Sequence, residues 1–207
     1  DGALTAPDCD DADPSLGDIA HDADCDGVLT TSDCDDNDSD NTTICSGSFV
    51  SVSAGIQHTC GMRTTGDVEC WGIDDGSNGD YGQVTDTPAG SFVSVSAGAF
   101  HTCAVAATGD VECWGIDDGG QFDAGQVTDT PAGSFVSVSA GMIHTCGVTT
   151  TGDVECWGFD LYGQATPPAG SFISVSAGNS HTCGKKTSDD VECWGVDDHS
   201  PNDYGQV

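Results

Sequence analysis

Four near-copies of one block run through the C-terminal part of the chain: SFVSVSAG or a close variant, followed by a cysteine hairpin that ends in CWG. The blocks start at Ser48, Ser91, Ser134 and Ser171, at intervals of 43, 43 and 37 residues. A period of this size means one supersecondary unit stacked on the next, so the chain is expected to fold as an array and not around one central core. Ahead of the first block lies a different segment, Asp1 to Cys45, with 14 aspartates and no lysine or arginine. Two modules follow: residues 1–45, and residues 46–207 divided into repeats 48–90, 91–133, 134–170 and 171–207.

Inside a repeat, Phe49-Val50-Ser51-Val52-Ser53 alternates with period two, is rich in β-branched and small residues, and breaks at Ala54-Gly55, which reads as a strand. His58 to Arg63 and Asp67 to Gly72 read as the next two strands, joined by Thr64-Thr65-Gly66 with glycine at the left-handed position of a three-residue hairpin loop. In that register Arg63 faces Asp67 and Cys60 faces Cys70, at a non-hydrogen-bonded site whose close Cα approach suits a disulfide. The same register pairs Cys103 with Cys113, Cys146 with Cys156 and Cys183 with Cys193. Asp189 replaces the loop glycine in the last repeat and tolerates a left-handed backbone better than most residues. Each bridge closes a loop of about ten residues, which the chain-entropy relation values at roughly 2.5 to 3 kcal/mol. A short fourth strand is expected over Tyr81 to Val84 and its equivalents, before the turn signal TDTPAG. Four short strands per repeated unit read as propeller blades.

Composition narrows the partners. Only 3 Lys or Arg oppose 35 Asp or Glu, a net charge of -32, so a phosphate backbone or an anionic membrane surface would repel this chain. Such a chain also repels itself unless counter-ions screen it or multivalent cations bind it, which points to a setting that supplies salt or calcium. Twelve cysteines at regular spacings argue for disulfides and an extracellular, oxidising compartment; the zinc alternative lacks any CxxC pair. No apolar run reaches the length of a membrane span and no signal peptide is present, so an exported chain of this kind is expected to be a mature or excerpted form.

The pattern SAGxxHTC, then GxVxCWGxD, then GQ resembles the regulator-of-chromosome-condensation repeat family, in particular its secreted bacterial members in which cysteines replace two apolar hairpin positions. The resemblance covers Ser48 to Val207. It implies an all-β fold of tandem propeller-blade repeats, forming a partial or assembled β-propeller. The family usually builds seven blades, whereas four repeats are present here, and three of them carry a longer loop after CWG, such as Asp74 to Asp80, where Asp160-Leu161-Tyr162 keeps the short form. The nuclear exchange-factor activity of the family does not carry over to a disulfide-stapled, strongly acidic chain.

In the N-terminal segment, Asp22, Asp24, Asp26 and Asp33 fall at loop positions 1, 3, 5 and 12, with Gly27 at 6 and the Val28 carbonyl at 7. That is the ligand order of an EF-hand-type calcium loop, with Asp in place of the usual Glu at the last position. DCDDAD at Asp8 to Asp13 and DCDDND at Asp33 to Asp38 repeat one another, and the segment resembles thrombospondin type 3 and related bacterial aspartate-rich calcium repeats. The resemblance implies a loop-rich segment in which calcium does the work of a core; the competing reading is a disordered acidic linker. Asp8, Asp10 and Asp13 are expected to join one site, and Asp33, Asp35 and Asn37 another. Cys9, Cys25, Cys34 and Cys45 allow three connectivities, of which the nearest-neighbour pairing, Cys9 with Cys25 and Cys34 with Cys45, is favoured. Asn37 and Asn41 each begin an N-x-S/T sequon and, with the threonines of TDTP, are candidate glycan acceptors. The aspartate pairs of the blade loops, Asp74-Asp75, Asp117-Asp118 and Asp197-Asp198, read as solvated charge before they read as further calcium ligands.

His58, His101, His144 and His181 recur at one repeat position. Active sites are singular, so a residue present in every blade reads as a structural hydrogen-bonding element. Trp71, Trp114, Trp157 and Trp194 read as blade packing rather than as a sugar-stacking row. With no GxSxG, no HExxH and no phosphate-cradling loop, no enzyme is expected.

The sequence therefore describes an extracellular or cell-surface, calcium-stabilised protein of structural or adhesive role, a surface, matrix or filament subunit. The alternative is a secreted binding propeller that captures a protein or glycan partner on its loop face. Four blades of seven-blade curvature make an arc, so the strand edges near Phe49 and near Gln206-Val207 are expected to be exposed and covered by end-to-end association or by further repeats. A compact four-bladed ring is the competing outcome.

Overall fold

A computed structural model describes residues 48–77, 79–197, 203 and 205–207. The chain divides at Ser48/Phe49, and every described strand lies in the second unit. The first sheet is β1 (Phe49–Ala54), β2 (His58–Arg63) and β3 (Val68–Gly72); the second β4 (Phe92–Ala97), β5 (His101–Ala106) and β6 (Val111–Gly115). The third is β7 (Phe135–Ala140), β8 (His144–Thr149) and β9 (Val154–Gly158); the fourth β10 (Phe172–Ala177), β11 (His181–Lys186) and β12 (Val191–Gly195). All four are antiparallel meanders in chain order, one blade per repeat.

The hairpin between the second and third strands follows from its loop. Gly66, Gly109 and Gly152 take φ values of 89°, 94° and 87°, and Asp189 takes 70° at the same place. The Arg63 amide donates to the Asp67 carbonyl at 2.9 Å, so the turn closes on that pair and the ladder begins at Val68. Stepping along the register brings Cys60 opposite Cys70, with the Cα atoms 4.1 Å apart and the sulfurs bonded. The bridges Cys103–Cys113, Cys146–Cys156 and Cys183–Cys193 repeat this arrangement.

Two expectations need correction. The first strand does not keep simple alternation: its register against β2 slips between Phe49 and Ser51, and every blade has the same bulge. One extra residue resets the period. In the later blades Phe92 and Val95, Phe135 and Val138, and Phe172 and Val175 consequently share one buried face, while the bulged Val93, Val136 and Ile173 stay exposed. There is also no fourth strand over Tyr81 to Val84; the segment is a bend and turn, and each described blade has three strands. Gly82 at φ 81° turns the backbone out of the extended region, and the Asp86 amide bonds back to the Gly82 carbonyl at 2.9 Å.

The apolar cores lie between blades. The Cys60 bridge packs with Phe92, Ala104 and Trp114; Cys103 and Val105 with Phe135, Val138 and Trp157; Cys146 with Phe172 and Trp194. Each blade thus offers a disulfide face to its successor and a Phe/Trp face to its predecessor. The turns after the first strands gather around an opening of ≈ 310 Å³ lined by Ala54, Ala97, Ala140 and Ala177 with the glycines that follow them. Glycine is required there by crowding: a Cβ on Gly98 would stand 2.5 Å from the Gly141 carbonyl oxygen.

Candidate functional site

The chemistry-bearing side chains of the repeat meet at the blade junctions. The second strand sets its histidine and its cysteine on the face turned to the next blade, where that blade's threonine waits. His58 Nε2 lies 2.7 Å from Thr102 Oγ1, His101 Nε2 2.7 Å from Thr145 Oγ1, and His144 Nε2 2.9 Å from Thr182 Oγ1. Thr182 donates its hydroxyl proton to the Gln164 carbonyl at 3.0 Å, so it accepts from His144, which fixes the proton on Nε2. The buried Nδ1 atoms of His58, His101 and His144 find no partner among the described residues. Burial holds all three rings neutral: His101 is pushed down to about 3, with the neighbouring His144 and His58 adding to the effect. His144 is pushed down to about 4 by burial and by His181, against an opposing pull from Asp160, and His58 is lowered by burial. A neutral ring locked to a threonine of the next blade is a structural clamp.

Two further contacts complete each junction. Ser53 Oγ accepts the Ala97 amide at 2.9 Å, Ser96 the Ala140 amide at 3.0 Å, and Ser139 the Ala177 amide at 2.9 Å. The indoles of Trp114, Trp157 and Trp194 donate at 3.0 Å to the main-chain carbonyls of Gln83, Gln126 and Gln164. These glutamines are fully buried, a role that the recurring GQ signals but that pattern reading does not specify. Gln83 holds its loop from within, donating to the Gly79 carbonyl and accepting the Tyr81 amide, and Gln126 does the same with Phe122 and Ala124. Tryptophan is therefore a junction residue as well as packing.

On the side where the loops after CWG emerge, Phe100 stacks on Phe122 with centroids 4.9 Å apart and meets Tyr81 edge-on at 5.9 Å. Beside them a groove of ≈ 580 Å³ is lined by Asp80, Asp86, Asp117 and Asp118 among others. Several carboxylates there serve their own loops. Asp80 accepts the Gly76 and Gly82 amides, Asp123 those of Gly119 and Gly125, Asp75 that of Ser77, and Asp118 that of Gly120. Among the described residues no group of three or more His, Cys, Asp or Glu is placed to hold a metal. Arg63, Lys185 and Lys186 are engaged by Glu69, Asp189 and Glu192.

The calcium residues read from the sequence (Asp8, Asp10, Asp13, Asp22, Asp24, Asp26, Val28, Asp33, Asp35 and Asn37), the cysteines Cys9, Cys25, Cys34 and Cys45, and the sequon residues Asn37 and Asn41 all lie outside the described residues.

Three-stranded blades stacked face to face define a tandem propeller-blade protein, a general binding-type fold. Residues 49–83, 92–121, 135–164 and 172–206 match the regulator of chromosome condensation (RCC1) repeat, more than half of the chain, and the chain belongs to that family. Among solved structures it is similar to the CRINKLY ectodomain of the Arabidopsis thaliana receptor kinase ACR4, with a TM-score of 0.58 and 25% identity over 74% of this chain and 53% of that one. The ectodomain of the Physcomitrella patens receptor kinase CR4 matches with a TM-score of 0.58 and 28% identity, over 72% of this chain and 39% of that one. Prp20p from Saccharomyces cerevisiae, whose structure is described with its binding to Gsp1p and histones, matches at 0.55 and 20% identity over 72% and 44%, which speaks to fold alone. The chain spans about half or less of each of these three proteins. Among curated proteins no match is found.

Proposed function

We propose that this chain is an extracellular structural or adhesive protein, a surface, matrix or filament subunit of a bacterium, with blades joined by disulfide-centred junctions and an N-terminal segment stabilised by calcium. The observation that carries this reading is the position of the disulfides: among the described residues, three of four bridges sit inside a junction core, against the next blade's phenylalanine and tryptophan. A protein whose packing depends on oxidised cysteines belongs in an oxidising compartment. The clamp geometry supports a load-bearing role, since the recurring polar groups hold blade to blade. Calcium would be held by Asp22, Asp24, Asp26, the Val28 carbonyl and Asp33, with Asp8, Asp10, Asp13, Asp35 and Asn37 in flanking sites, and would supply a charge-neutralising core to a segment with little to bury. The test is calorimetric titration with calcium, joined to limited proteolysis before and after chelation. Binding on the order of 0.1 to 1 mM, with cleavage in residues 1–47 rising on chelation, is the expected result; no binding and unchanged cleavage would refute the calcium assignment.

A second reading has its own observation. Tyr81, Phe100 and Phe122 form a three-ring cluster beside the carboxylate-lined groove, where the third blade's loop carries the pair Phe159 and Tyr162, and such variation between blades is what a recognition face would have. It supports a binding propeller that takes a protein or glycan on its loop face. Substituting Phe122 with Ala would then abolish ligand capture and leave assembly intact.

A further inference from the structure

The three interior junctions are built from one set of complementary halves, and the two ends of the array display one half each. On blade 1 the half that faces a predecessor is open. Phe49 is 47% exposed where Phe92, Phe135 and Phe172 are 3%, 2% and 2%, and Trp71 is 44% exposed where Trp114, Trp157 and Trp194 are 4%, 6% and 7%. Val52, whose counterpart Val138 is 8% exposed, stands at 67%. What is uncovered is a whole sheet face, beyond the β1 strand edge that the sequence suggests. On blade 4 the half that faces a successor is open: Cys183 and His181 are half-buried where their counterparts in the other second strands are buried, and Ser176 is exposed where Ser53, Ser96 and Ser139 are half-buried. Blades 1 and 4 therefore do not cover each other, which excludes the closed four-bladed ring for this unit.

We propose that these two faces bind each other between molecules, the blade 4 face of one chain docking on the blade 1 face of a second copy to form a fourth junction of the interior kind. This rests on the structural-subunit reading and names its contact. The argument is continuity with an interface already present three times in the same chain. Every interior junction matches His to Thr, Ser Oγ to an Ala amide, and a disulfide to a Phe/Trp pair. The second copy brings His181 to Thr59, Ser176 to the Ala54 amide, and Cys183–Cys193 to Phe49 and Trp71. The contact is heterologous, so each docking leaves a fresh pair of open faces and growth continues unless the rotation closes.

The test is sedimentation of the 207-residue chain with calcium present, using two substitutions at exposed positions that leave the fold undisturbed: Val52→Arg on the first face and Ser176→Arg on the second. The wild-type chain is expected to grow in mass with concentration, and each variant alone to stay monomeric. An equimolar mixture of the two variants is expected to stop at dimers, because the mixture holds one intact face of each kind. Trp71→Ala should weaken association about tenfold or more, as loss of a central aromatic anchor does. Assembly that persists in both variants would overturn the junction while leaving the structural-subunit reading standing. A wild-type chain that stays monomeric, or a mixture that does, would overturn it too, whatever the calcium titration gives.

Discussion

His101 Nε2 lies 2.7 Å from Thr145 Oγ1 across the boundary between the second and third blades, and both side chains are fully buried. A neutral imidazole in that position cannot accept a proton without placing a charge in the core of the array. The folded ring is pushed down to about 3 from 6.5, so the unfolded chain binds the proton first. The junction's contribution is whole above the unfolded value and is lost as pH falls from about 6.5 towards about 3, at up to about 1.4 kcal/mol per pH unit for each such histidine. His144, pushed down to about 4, adds to the same slope. Urea unfolding from about pH 7 down to about pH 5 should show falling stability, and His101→Gln should flatten the slope. An unchanged slope in that variant would remove the histidines from the account.

Thr145→Val leaves the His101 ring nitrogen buried and unpaired, which costs about 1 to 3 kcal/mol. The equivalent Thr59→Val lies on the open face of blade 1, where no interior junction depends on it. In dilute protein it should change stability by less than about 0.5 kcal/mol. Denaturant midpoints of the two variants decide the matter, because a purely local threonine effect would make them equal.

Replacing both Cys146 and Cys156 by Ser removes a bridge that packs on Phe172 and Trp194, whereas Cys183 and Cys193 face outward. The first change should cost the loop-closure value of about 3 kcal/mol plus packing, and the second the loop-closure value alone. Non-reducing peptide maps of the parent chain should contain Cys60–Cys70 and its equivalents and no Cys60–Cys103 link.

Among the described residues Asp189 is the one non-glycine residue at positive φ, 70°, and its carboxylate pairs with Lys185 at the surface. Relief of left-handed strain is worth about 1 kcal/mol and an exposed ion pair only a few tenths. Asp189→Gly should therefore raise stability by about 0.5 kcal/mol, seen as a higher denaturant midpoint; a lower midpoint would show that the ion pair dominates.

Hairpin register was legible because it is local: Gly66 fixes the loop, the loop fixes the opposing pairs, and Cys60 meets Cys70 by counting. The blade as an all-β unit followed from the same reasoning. What could not be read needed a neighbour in space. Phe49 and Val52 look as if they point to opposite sides until the bulge at Val50 is known, and the bulge serves packing against another blade. Tyr81 to Val84 looked like a strand by composition, but Gly82 and the inward amide of Gln83 turn it into a loop anchored from within. The pairing of histidine with the next repeat's threonine was equally invisible, since the two residues stand 44 positions apart at two of the three junctions.

Extracellular assemblies held by calcium and by blade-to-blade contacts are proposed for this chain. Electron cryomicroscopy of the native extracellular material, imaged with calcium and again after chelation, tests this most directly. Ordered assemblies with blade-like subunits in the first images, loosened or dispersed in the second, are the predicted result. Isolated, dispersed molecules in both would contradict the claim.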